Sequence, residues 1–131
     1  MKWSQINRSW WTKFYHWWLA LQNISEYKNG IFVQVAEMEN TLSRFAVCKY
    51  DEQNILIAGG LENKSKTTKK CKLFNINTFE FSSIADMKNT RHYFALVECN
   101  QKYYAVGGFH NSSIECYDKE TNKWSHIFDM K

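Results

Sequence analysis

Along most of the chain, apolar residues come in short runs separated by turn-prone residues. Phe45-Ala46-Val47-Cys48, Ile55-Leu56-Ile57-Ala58, Phe94-Ala95-Leu96-Val97 and Tyr103-Tyr104-Ala105-Val106 are four such runs. Apolar stretches this short, bounded by Asn, Asp and Gly, predict strands rather than helices. In the last third of the chain the pattern predicts strands at 91–97, 103–107, 113–117 and 123–127. Between them lie Asn100-Gln101, His110-Asn111-Ser112 and a turn over 118–122, residue types that make turns. The start of the chain reads differently. Trp3, Ile6, Trp10, Phe14, Trp17 and Leu21 recur at steps of three and four, which predicts a short helix within residues 1–26.

The pattern repeats. Gly59-Gly60 and Gly107-Gly108 each close a second strand-like run, 48 residues apart. Downstream of each comes an aromatic pair seven residues apart, Phe74 with Phe81 and Tyr117 with Trp124. Six residues after the second aromatic stands a methionine, at Met87 and Met130, and the step from Phe32 to Met38 is the same. Each unit therefore holds four short strands joined by hairpin turns, a meander that forms one propeller blade when repeated radially. Residues 39–87 and 88–131 make two complete four-stranded antiparallel blades, and 27–38 supplies part of a third. Glycine after the second strand lets the backbone turn and approach its neighbours without a Cβ. The large aromatics fill the wedge between adjacent blades, burying roughly 150–250 Å² each.

These units resemble the kelch repeat. Met87, Arg91, Gly107-Gly108, Tyr117-Asp118, Trp124 and Met130 stand where the kelch pattern has Met, Arg, Gly-Gly, Tyr-Asp, Trp and Met. The earlier unit keeps Met38, Arg44 and Gly59-Gly60, with Phe74-Asn75 for Tyr-Asp and Phe81 for Trp, and a longer loop after Gly60. The resemblance implies an all-β chain: a partial kelch-type β-propeller with a short N-terminal helix. It also implies a binding scaffold like the C-terminal part of BTB–BACK–kelch proteins, which act as substrate adaptors for cullin-3 ubiquitin ligases or bind actin. Only about 26 residues precede the repeats, so no BTB domain is expected here. Two and a half blades fall short of the 4–8 of a closed propeller. The missing blades are expected from another chain or a longer parent protein. The alternative is a truncated remnant with no specific binding of its own.

Composition narrows the partner. Net charge is +4, too small a bias for a nucleic-acid footprint. Lys64, Lys66, Lys69, Lys70 and Lys72 cluster in the longer loop and the strand end that follows it; they read either as a solvated loop and strand end or as a docking point for an acidic partner. No run of 18 apolar residues exists, so no membrane span is expected, although a Trp-rich, cationic helix also suits a membrane surface. The four cysteines form no C-x-x-C pair, and free thiols suit a reducing, cytoplasmic setting.

No catalytic motif is present, and an enzyme is not expected. Some kelch-type propellers carry copper, but His16, His92, His110 and His126 show no ligand spacing, so neither metal nor cofactor is expected. The loops over 61–70, 86–93 and 109–113 would gather on one face, and function sits on such loops. Arg44, Arg91, His92, Tyr93, Phe109, His110 and Asn111 combine charge, aromatic area and hydrogen-bonding capacity. They are the candidate protein-binding residues. For the two arginines the alternative is a structural role, bridging blades through loop carbonyls.

Overall fold

The computed structural model describes residues 21–131, and every regular element among them is a strand. β1 (Leu21–Lys28) and β2 (Ile31–Ser43) form a hairpin. Asn29 and Gly30 close it at φ 53° and 83°, the tight two-residue turn that Asn-Gly specifies. The hairpin corrects the end of the expected helical segment. Leu21 pairs with Leu42, and residues 21–26 are extended. The rest of that segment, residues 1–20, lies outside the described residues.

β3 (Ala46–Lys49), β4 (Asn54–Ala58), β7 (Cys71–Asn75) and β8 (Phe81–Ile84) form a second antiparallel sheet in the order β3-β4-β7-β8. β9 (Ala95–Cys99), β10 (Lys102–Val106), β11 (Ser113–Asp118) and β12 (Lys123–Asp129) form a third, again in simple succession. These are two complete four-stranded blades. The remaining strands, β5 (Leu61–Glu62) and β6 (Lys66–Thr67), are a small hairpin in the longer loop after Gly60. It extends the first sheet rather than its own, through Ser43 with Leu61 and Leu42 with Glu62.

The sheets stack, and β4 shows why. Its side chains alternate between faces, as strand geometry requires. Ile55 and Ile57 pack with Ile24, Met38 and Leu42 of the first sheet. Leu56 and Ala58 pack with Tyr103, Ala105, Tyr117 and Trp124 on the third and with Met87 in the segment that leads to it. A strand buried on both faces reads as a continuous apolar run, which is what Ile55 to Ala58 is.

Hydrogen bonds repeat between the two complete units. Gly59 N donates to Lys70 O at 3.0 Å, and Gly107 N to Ser113 O at 2.9 Å. Met87 N donates to Lys69 O at 2.9 Å, and Met130 N to Ser112 O at 2.8 Å. The Asn75 carboxamide accepts from Asn77 N as the Asp118 carboxylate does from Glu120 N, so Asn75 does stand for the aspartate. The aromatic pair occurs three times: Phe74 with Phe81 at 5.1 Å, Tyr117 with Trp124 at 5.2 Å, and Tyr27 with Phe32 at 5.0 Å. The third pair escapes the seven-residue spacing because a two-residue turn brings its members closer in sequence.

Candidate partner-binding face

The first-unit arginine needs a correction. Phe45 and Phe94 begin equivalent stretches, and the residues just before them, Arg44 and Tyr93, share a left-handed backbone at φ 56° and 54°. Arg44 is thus the counterpart of Tyr93. Counting back, the counterpart of Arg91 is Leu42. Glu115 pairs with Ala105 as Lys72 pairs with Ile57, so Lys72 stands where Glu115 does. The first unit replaces both members of the Arg91–Glu115 pair.

Arg91 is 1% exposed, which removes it from the set of partner-binding residues. Its Nε and Nη2 donate to Glu115 Oε2 at 3.1 and 2.8 Å. Nη2 also donates to Ser113 Oγ at 2.7 Å, and Nη1 to the carbonyls of Gly107 and Ser113, both at 2.8 Å. Glu115 further accepts from Lys88 N and Asn89 N. A guanidinium has five N–H donors, and all are satisfied within the third sheet and the segment leading to it. The structural role is the one observed, although the side chain ties one blade's own strands rather than two blades. This commitment also delays the strand: the extended run predicted from residue 91 begins at Ala95.

The other candidates come together. The Arg44 guanidinium lies over the Tyr93 ring, 4.5 Å from its centroid. His92 stands 5.8 Å from Tyr93 and 5.2 Å from Phe109, and Phe109 meets His110 edge-on at 4.1 Å. Backbone bonds fix this run, from Tyr93 N to Arg44 O at 3.0 Å and from Phe109 N to His92 O at 2.9 Å. Tyr93 is 40% exposed and Phe109 56%. Asn111 accepts from Ser113 N and Oγ and shapes the turn. With His110, His126 and Asp129 it lines an open polar depression of about 530 Å³.

Thr67, which the sequence did not single out, contacts His92 through Oγ1 and Nδ1 at 3.2 Å. It arrives on β6, and the extra length of the loop after Gly60 was its one signal. Burial lowers the His92 pKa, and the charges of Arg44 and His110 lower it further.

Burial pushes the Cys48 and Cys71 thiols up to about 12, so neither is a thiolate at neutral pH. Among the described residues no three His, Cys, Asp or Glu side chains converge to hold a metal ion. No described helix is long and apolar enough to cross a membrane.

The stacked meanders define a class, that of β-propeller blades. Comparison with known proteins supports a kelch-repeat family: residues 90–131 match the Kelch motif. It is 31% identical over 80 residues to Kelch-like protein 40 of Xenopus laevis and, to the same extent, to that of Xenopus tropicalis. Each match covers 58% of this chain and 13% of the relative, so the chain spans about an eighth of these relatives' length. In structure it is similar to a fungal alcohol oxidase of the AA5 family in complex with copper, with a TM-score of 0.69 at 15% identity. That match covers 83% of this chain and 27% of the oxidase, and at such identity it bears on the fold alone. Kelch repeats and kelch-like relatives support a protein-interaction module in general.

Proposed function

We propose that the chain is a non-enzymatic protein-binding module and that its partner contacts Arg44, His92, Tyr93, Phe109, His110 and Asn111. One observation carries this: three separate loops deliver a continuous run from Arg44 through Tyr93, His92 and Phe109 to His110. Half-exposed aromatics beside an arginine are the composition of binding hot spots. The kelch-like relatives support a finer reading, in which the surface belongs to the substrate-recognition propeller of a cullin-3 ligase adaptor or to an actin-binding kelch protein in the cytoplasm. Because the chain spans 13% of those relatives and 27% of the oxidase chain, further blades, from a longer parent or another chain, would complete the face.

Affinity capture with wild-type chain and a Tyr93→Ala/Phe109→Ala variant tests the reading. Partners recovered by the wild type and lost from a normally folded variant are the expected result. Identical recoveries would leave the remnant as the better account.

A further inference from the structure

We infer that this chain pairs head to tail with a second copy of itself, the outward face of the third sheet receiving the first sheet of the other copy; this deepens the reading above by giving its further blades one source.

The second sheet shows what the outward face is built for. Its strands present Cys48, Leu56, Cys71 and Ile84 to the third sheet, and Met87 follows them into the same cluster. Matched through the strand pairing, Val97, Tyr104, Ile114, Phe128 and Met130 hold those positions in the third sheet. All five are apolar or aromatic, yet Val97, Phe128 and Met130 are 49%, 54% and 39% exposed. An end unit built to face water carries a polar outer face. This one carries the pattern of a middle unit.

The structure also shows what such a face receives. On the second sheet it is the aromatic pair Tyr117 and Trp124 of the next unit. On the first sheet it is Phe74 and Phe81, packed with Ile24 and Met38. Tyr27 and Phe32 form the third pair. Ile24 faces the second sheet, and Tyr27 stands three residues further along the same strand, so alternation puts it on the opposite face. Tyr27 is 41% exposed and Phe32 50%. One end of the stack is thus a receiving face and the other end offers a pair to be received. β1 and β2 are the counterparts of β11 and β12, so the contact falls on Ile114, Phe128 and Met130 rather than on Val97.

Counting sheets fixes the number of copies. Head-to-tail contacts either close into rings or run on as filaments, and propellers close with 4–8 blades. The described residues form three sheets, so one copy is too few, three copies would bring nine, and two copies bring six.

Analytical ultracentrifugation of the full chain tests this. The expected species has twice the chain's 15.7 kDa and dissociates on dilution. Tyr27→Asp and Phe128→Asp, both at half-exposed positions, should each weaken the dimer at least about tenfold. Each variant alone spoils both contacts of a two-copy ring, whereas an equal mixture keeps one contact intact and should recover a heterodimer. Loss of folding would not be rescued by mixing. Amides of β12, open in the separated chain, should gain protection as protein concentration rises. A monomer at every concentration up to about 1 mM overturns the inference, as do longer oligomers and the absence of recovery on mixing. A dimer that survives Tyr27→Asp also overturns it, since the third sheets would then be pairing with each other. Each of these results leaves the loop face to be judged by the capture experiment.

Discussion

Arg91 and Glu115 are both fully buried at the side chain, 2.8 Å apart. Two charges removed from water repay their desolvation only when their hydrogen bonds are complete, and here the arginine's five donors all have acceptors. Removing one partner leaves the other charged and buried. Arg91→Met is therefore expected to cost about 3–5 kcal/mol, read as a lower urea midpoint at unchanged slope. Arg44→Met, at a half-exposed site, should stay within about 1 kcal/mol. A shift for Arg91→Met no larger than that of Arg44→Met would contradict this account. The two arginines were alike in the sequence because each precedes a Phe-Ala run after a methionine. What separates them is a two-residue offset: Arg91 stands three before Phe94, Arg44 one before Phe45. Glu115, the decisive partner, lies in an unremarkable strand position that no motif marks.

Gly59 and Gly30 both have positive φ, yet their elements ask different things of them. Gly30 turns the β1–β2 hairpin in open space, with nothing within 4 Å of where a Cβ would sit. At Gly59, which follows β4, a Cβ would lie 2.6 Å from Arg91 O and 2.6 Å from the Phe94 ring. The backbone there passes against the next blade. Gly30→Ala should cost only the left-handed conformation, about 1–2 kcal/mol. Gly59→Ala adds a clash with immovable backbone and should cost about 1–3 kcal/mol more. Equal losses in chemical denaturation would mean that the second glycine is a simple turn residue. The Gly-Gly signals, the aromatic pairs and most strands were legible because each follows from period-two alternation and turn chemistry. The β5–β6 hairpin was not, since two-residue strands have no period to read. Its pairing with β2 is set by tertiary packing of the first sheet.

At the scale of the whole molecule, the three sheets form a stack whose middle member is buried on both faces. Leu56 and Ala58 are 0% exposed, and Ile55 and Ile57 are nearly so. The third sheet has one face packed and one outward: Val97 and Phe128 are 49% and 54% exposed. Met87 and Met130 make the same backbone bond, yet Met87 is 1% exposed and Met130 39%, because a blade follows the first and none of the described strands follows the second. In repeat arrays each unit is stabilised by its neighbours, so opening should begin at the end of the stack and reach the middle last. Hydrogen exchange under native conditions reads this directly. Amides of β4 should exchange only by global unfolding, and their protection should fall with urea at the slope of the full transition. Amides of β12 should exchange earlier, through openings that expose less surface and depend weakly on urea. Leu56→Ala, which removes packing between the second and third sheets, should cost about 2–5 kcal/mol globally and widen the gap between the two strands' protection. Uniform protection across β4 and β12 would show that the sheets unfold as one unit, with the open face of the third contributing no weakness of its own.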